Sequence, residues 1–306
     1  MADSNAPEPP EVNPRQLEID PTVAGRLARW TQRTRILRGS IESARGDHTS
    51  VDLAFMLVER DSAIGGGLLA GALAYRFFVL LLPSALLFVS GLGLYADAVD
   101  KSSRKVAEEA GLHGLIASEV ASSASSSGRW IVIILMPPAI LYALVKLYRS
   151  IAIVHALAWE GSGRGVRIRP KGVAVLGAAL LVAIVAAEIV GWIRSRDEFG
   201  GIAALAVYLA LVGVSWLVVS HELVHRNAPW HALLPGALLF GAGLLFVNAF
   251  NVYVTARAIS DQANTYGALG IAAALLFSLV LVGRLIVVSA ELNATMVDRR
   301  RARDVD

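Results

Sequence analysis

The 306-residue chain contains no cysteine, and charged residues make up only 17% of it. The lack of cysteine excludes a disulfide-stapled secreted domain, and a soluble domain carries about 25% charged residues. Hydrophobic residues reach 55% and the mean hydropathy is +0.57. Most of the charge lies in residues 1–60, a few short connectors and residues 299–306. This composition excludes an ordinary soluble enzyme and predicts an all-α, polytopic membrane protein.

The chain has little excess charge of either sign, since its formal net charge is +3 despite a pI near 9.3. Basic residues are dispersed among acidic ones, and no basic stripe is interleaved with aromatic residues as a phosphate backbone requires. The sequence therefore predicts no nucleic-acid partner. Arginine and lysine are instead expected to orient helices in a membrane.

Six apolar segments are long enough to cross about 30 Å of hydrocarbon as helices. The first is longer than the membrane requires, so we expect this helix either to tilt or to break near Pro83 or Gly91. Six spans place both termini on one side, and the loops on that side carry more arginine and lysine, which predicts that both termini are cytoplasmic. The predicted spans are 64–95, 130–148, 172–193, 201–220, 233–255 and 266–290.

The remaining segments predict the rest of the organisation. Residues 1–21 are rich in proline and acidic residues, which is typical of a disordered tail. Residues 22–63 carry apolar side chains at helical spacing, as in amphipathic helices at a membrane interface. Within the membrane domain, 64–294, the outer loop 96–129 is either a lid or a connector. Residues 295–306 form a basic tail that would attract anionic headgroups.

Small residues four positions apart allow close helix contacts in membranes. Gly67 and Gly71 form such a pair in the first span, and Ala237 and Gly241 form another in the fifth. Both pairs predict tight helix packing. His155 lies in the apolar stretch IAIVHALAW after the second span, which we interpret as an interfacial helix.

Three ionisable residues, Arg76, Glu188 and Arg284, fall at overlapping depths inside the predicted spans. Charges at such depths are costly, so they mark a pathway, an ion pair or a cavity. Glu188 paired with Arg76 or Arg284 would leave one arginine in excess, which suits an anionic headgroup or a carboxylate. The alternative, to which we give equal weight, is that these residues form a purely structural ion pair and bind no substrate.

An alternative chemistry comes from the segment HELVH at 221–225. On a helix, His221 and His225 would lie on one face and could bind zinc, with Glu222 as general base and Glu291 as a third ligand. However, the chain reaches Pro229 within a turn, and the further motifs of membrane metalloproteases are absent from the sequence. We therefore predict no enzyme activity, no metal and no cofactor, and keep the zinc protease as an alternative.

Two regions of the sequence are similar to a known family. The first is ALAYRFFVLLLPSALLFVSGLGL at 72–94, and the second is the ordered set LLPGALLFG, YGALG and SAELNA between 233 and 294. Together they resemble the YihY/BrkB family of six-span bacterial inner-membrane proteins, once mislabelled ribonuclease BN. The family's recurring positions then fall on Tyr75, Pro83, Pro235, Gly236, Tyr266, Gly267, Glu291 and Asn293.

The resemblance implies a multi-pass protein of the bacterial cytoplasmic membrane, linked to the cell envelope. Some relatives are associated with moving lipid-like molecules. We therefore expect this chain to bind or translocate an anionic lipid or another amphipathic substrate, with membrane lipids and envelope proteins as partners. A non-catalytic envelope scaffold is the third hypothesis. The predicted substrate-binding residues are Arg76, Glu188, Arg284, Tyr75, Tyr266, Gly267, Glu291 and Asn293.

Overall fold

In the computed structural model, regular structure consists of α-helices throughout the described part of the chain. Residues 49–99, 102, 105, 129–194, 200–223, 227–250 and 268–303 are described. The helices are α1 (Thr49–Ile64), α2 (Gly66–Ala98), α3 (Arg129–Glu160), α4 (Pro170–Arg194), α5 (Gly200–Glu222), α6 (Trp230–Phe250) and α7 (Ala268–Arg303). The predicted all-α class is confirmed.

Helices α2 to α7 are each long and apolar enough to cross a membrane. This confirms six spans, although several boundaries differ from the predicted ones. The α2 helix runs through Pro83 without ending, because a proline inside a membrane helix is tolerated where neighbouring groups satisfy the freed carbonyl. The α7 helix continues to Arg303, so residues 295–303 are helical. The sidedness of the termini stays a prediction.

The stretch around His155 is also different from the prediction. It is the last part of the continuous helix α3, and not a separate interfacial helix. Its side chains Ile151, Val154 and Trp159 are buried, as is His155 itself. Because these residues pack against the other spans, tertiary contacts extend the helix beyond the point where the apolar run alone would end it.

Residues Met56–Asp306 form one compact unit. Within it α2 packs against α3 and α7, α7 also packs against α3 and α6, and α5 joins α6 to α4. Alternating helix directions place the start of α2, the loop 161–169, the end of α5, the start of α6 and the end of α7 at one end of the bundle. We call this the lower end.

Close helix contacts occur at different glycines from those that the sequence singled out in the first span. A Cβ atom at Gly67 or Gly71 would meet nothing within 4 Å, so that pair does not pack inside the described bundle. The close approach is made by Gly283, where a Cβ would lie 2.5 Å from the carbonyl oxygen of Ala70. The second predicted pair is confirmed, because Gly241 lies against Leu209 and the Gly213 backbone.

Candidate functional site

A layer of buried polar side chains crosses the lower half of the bundle. The indole Nε1 of Trp216 donates to Ser289 Oγ at 3.1 Å, and Ser289 Oγ donates to the carbonyl oxygen of Ile286 at 2.9 Å. Phe240 stacks on Trp216 with ring centroids 4.2 Å apart. His155 Nδ1 lies 3.2 Å from the Ile151 carbonyl oxygen, as expected of a hydrogen-bonded core histidine. These contacts join α5, α6 and α7, and the His155 ring adds α3, because its centroid lies 6.1 Å from that of Trp216.

Asn293 is part of the same layer and binds a backbone group of α6. The amide N–H of Gly236 donates to Asn293 Oδ1 at 2.7 Å. A Cβ at Gly236 would overlap the Asn293 side chain and the Ser289 carbonyl oxygen, so only glycine allows this approach. Asn293 is 1% exposed and therefore holds α6 against α7 rather than facing a substrate.

Arg284 of α7 forms a two-pronged ion pair with Asp61 of α1. Its Nη1 donates to Oδ1 at 2.5 Å and its Nη2 donates to Oδ2 at 2.8 Å. A Cβ at Gly66 would overlap the Asp61 carboxylate, so the glycine at the start of α2 makes room for this pair. The expectation that Glu188 would be the partner of Arg284 is wrong. Asp61 precedes the predicted first span and was therefore left out of the set of membrane charges.

Arg60, next to Asp61, links α1 to two further helices. Its two terminal nitrogens lie 3.1 Å from Asp298 Oδ2, and Nη1 also donates to Thr295 Oγ1 at 3.3 Å. Its Nη2 donates to the Ala158 carbonyl oxygen at 2.6 Å. The partners of Arg60 could not be predicted from the sequence, because they lie 98 to 238 positions away along the chain.

Glu291 lies close to members of both ion pairs and is 1% exposed. Asp61, Arg284 and Arg60 all act on it electrostatically. Its Oε1 atom is buried without a hydrogen-bond partner among the described residues. Glu291 is therefore a deeply buried carboxyl group with one oxygen that no described residue satisfies.

A pocket of about 490 Å³ opens at the lower ends of α3, α4 and α5. Its charged lining consists of Arg167, Arg169 and Lys171 against the single carboxylate of Glu222. Lys171 Nζ donates to Glu222 Oε1 at 2.5 Å. The pocket also has an apolar lining, formed by Ala152, Val166, Ile168 and Leu223.

The shape of this pocket depends on Tyr148 and on the loop between α3 and α4. The Tyr148 ring lies against Gly172, where a Cβ would overlap the phenol. Gly161 adopts φ +68° and donates its N–H to the Leu157 carbonyl oxygen, which ends α3. Pro170 then begins α4 as its first residue, where its missing N–H costs nothing.

The other predicted site residues are not gathered into one site. Tyr75 is 59% exposed, and the Arg76 guanidinium lies 5.8 Å from the centroid of its ring. Glu188 is exposed on α4 and forms no ion pair within the described ranges. Tyr266 and Gly267 lie outside the described residues. Within the described part of the predicted set, the structure thus brings Arg284 and Glu291 into one cluster, while Arg76 lies against its chain neighbour Tyr75.

The HELVH segment is described only in part, since residues 224–226 lie outside the described ranges. The His221 ring stacks on Trp230 with centroids 3.7 Å apart. Glu222 is bonded to Lys171. Across the described residues, no group of three or more His, Asp or Glu side chains could hold a metal ion.

A protein-family model described as Virulence factor BrkB matches residues 57–306. The chain belongs to the BrkB family. The match confirms the resemblance found in the sequence. The matched residues include Asp61, all six candidate spans and the residues that line the basic pocket. Family and hydropathy together identify a multi-pass membrane protein. No curated protein and no solved structure matches this BrkB-family chain.

Proposed function

We propose that this BrkB-family protein binds an anionic lipid at the lower end of the bundle and moves it across the bacterial cytoplasmic membrane. The observation that carries the proposal is the pocket with Arg167, Arg169 and Lys171 in its lining. Basic pockets between membrane helices favour phosphate-bearing headgroups, and the arginine fork matches a phosphate with two parallel hydrogen bonds. The apolar lining suits the first part of an acyl chain.

Size and charge both support a headgroup as the ligand. The volume of about 490 Å³ falls within the range of about 300–1,000 Å³ that is typical of small-molecule pockets. Lys171 and Glu222 neutralise each other, so Arg167 and Arg169 supply the excess positive charge. The proposed orientation places this end in the cytoplasm, together with the arginines at 299–303.

Native mass spectrometry of the purified full chain tests the binding. The double variant Arg167→Gln/Arg169→Gln is compared with Arg164→Gln, which removes an exposed arginine of the same loop outside the pocket lining. We expect wild type and Arg164→Gln to retain added phosphatidylglycerol and the double variant to lose it. Phosphatidylcholine serves as the uncharged-lipid control. Equal retention by all three proteins would exclude the pocket.

Movement of the lipid needs its own measurement. Vesicles that contain the full chain and a headgroup-labelled phosphatidylglycerol report translocation as loss of fluorescence when a membrane-impermeant quencher is added. We expect faster loss with wild type than with the pocket double variant. Lipid retention without movement would favour the scaffold hypothesis.

We propose a non-enzymatic role. Its support is that Glu222, which a zinc protease would need as a free general base, is bonded to Lys171. The stacking of His221 on Trp230 also orients that ring by an aromatic contact. The same native mass spectra would overturn this view if wild type carried bound zinc and His221→Ala did not.

A further inference from the structure

The charges around Glu291 do not balance. Asp61 and Arg284 form one neutral pair, and Arg60 and Asp298 form another. Both arginines already donate to those carboxylates, and Arg60 also donates to Thr295 and to Ala158. Glu291 is left as one additional acidic group at 1% exposure. Among these five described side chains, the acidic groups therefore outnumber the basic ones by one.

A buried carboxylate without a counter-charge is costly. The cost is relieved when a cation binds to it, and the Oε1 atom of Glu291 is buried and unpartnered among the described residues. We propose that Glu291 binds a small monovalent cation, either H⁺ or Na⁺. The bound cation makes the whole cluster electrically neutral.

Most of the helices packed at this end carry ionisable groups. The α1 helix contributes Arg60 and Asp61, and α7 itself contributes Arg284 and Asp298. The lower turns of α3 carry His155 and Glu160, and α6 carries His231. The α2 helix contributes no charge nearby, since its Arg76 lies ten residues, or about 15 Å, along the helix from Gly66.

Cation binding at Glu291 affects the contact between α1 and α7. Glu291 and Arg284 lie two helical turns apart on α7, while Arg284 reaches out to Asp61 on α1. When the cation leaves, the negative charge of Glu291 competes with Asp61 for Arg284. Cation release thus weakens the contact between α1 and α7, and cation binding strengthens it.

Two measurements on the purified full chain distinguish H⁺ from Na⁺. Difference infrared spectroscopy across pH detects a protonated carboxylic acid by its C=O stretch. Thermal unfolding in NaCl, compared with choline chloride at equal ionic strength, detects Na⁺ binding as a rise in Tm. The variants are Glu291→Gln, which mimics the neutral acid, and Glu291→Asp, which keeps the carboxyl group. Glu59→Gln removes an exposed carboxylate on α1 and is the matched control.

We expect one of the two signatures in wild type, in Glu59→Gln and, with an altered midpoint, in Glu291→Asp. We expect its complete loss in Glu291→Gln. Absence of both signatures in wild type, or an unchanged signature in Glu291→Gln, would overturn the proposal. Retention of phosphatidylglycerol depends on Arg167 and Arg169 and is measured separately, so the two proposals can fail independently.

Discussion

Arg284 donates two hydrogen bonds to Asp61, although 223 positions separate the two residues in the chain. The pair ties the helix that precedes the first span to the middle of the last one. Its side chains are 40% and 21% exposed, so it is neither a surface ion pair nor a fully buried one. This geometry makes α1 an integral part of the bundle at its lower end from Arg60 onward.

The contribution of this pair can be measured with a double-mutant cycle. Asp61→Asn leaves the Arg284 guanidinium without its counter-charge, and we expect a loss of about 1–3 kcal/mol in the free energy of unfolding. Arg284→Gln should cost a similar amount. The double variant should lose less than the sum, because neither charge is then left unpaired. Additive losses in detergent-solubilised protein would show that the two side chains do not interact.

Glycine substitutions distinguish a packed helix face from an open one. Gly236→Ala places a methyl group onto Asn293 and the Ser289 carbonyl, so we expect destabilisation of about 1–3 kcal/mol from overpacking. Gly71→Ala adds the same methyl group where nothing lies within 4 Å. Its Tm should stay unchanged or rise slightly, since alanine favours the helix. A larger drop in Tm for Gly71→Ala than for Gly236→Ala would contradict the packing described for α6 and α7.

The hydrogen bond from Trp216 to Ser289 should contribute to stability. Trp216→Phe keeps an aromatic ring beside Phe240 but removes the donor, leaving buried Ser289 Oγ with one partner fewer. We expect a loss of about 1–3 kcal/mol, part of it from the smaller ring. Ser289→Ala should cost a comparable amount by orphaning the indole N–H. Thermal unfolding followed by circular dichroism measures both, and a neutral Ser289→Ala would contradict a strong bond.

Glu222→Gln tests the charge balance of the proposed lipid pocket. The substitution removes the only carboxylate from the lining and releases Lys171 from its ion pair. We therefore expect phosphatidylglycerol to bind several-fold more tightly, with a steeper dependence on salt because more unpaired positive charge faces the ligand. Titration with lipid followed by native mass spectrometry gives the affinity. Weaker binding would mean that Glu222 holds the pocket in shape rather than limiting its charge.

Family and span number could be predicted from the sequence, and so could part of the helix packing. The apolar runs predicted six spans because a polypeptide in hydrocarbon must satisfy its own backbone hydrogen bonds, which a helix of sufficient length does locally. The segment SAELNA and its companions indicated the BrkB family, which the match over residues 57–306 confirms. Ala237 and Gly241 were correctly assigned to a helix contact, because a small side chain permits one wherever a neighbour lies.

The residues that contact each other across helices could not be predicted, because these contacts depend on which helix faces lie opposite each other. Gly67 and Gly71 have the same spacing as Ala237 and Gly241, yet their side of α2 is open. Glu188 has the charge needed to pair with Arg284, but α4 exposes it and Asp61 takes its place. Arg167, Arg169 and Lys171 lie in the connector between the second and third predicted spans. Their common pocket could not be predicted, since it forms where α3 and α5 end and α4 begins.

The sequence by itself determined that this protein lies in a membrane, how many spans it has and to which family it belongs, because apolar length and local motifs are properties of contiguous segments. Only the tertiary structure decided the charge around Glu291. Arg284 comes to lie beside Asp61, and Arg60 beside Asp298, through contacts between segments more than 200 positions apart. Among the described residues, those two pairings leave Glu291 without an ion-pair partner of its own, since Coulomb interactions depend on distances in space and not on separation along the chain.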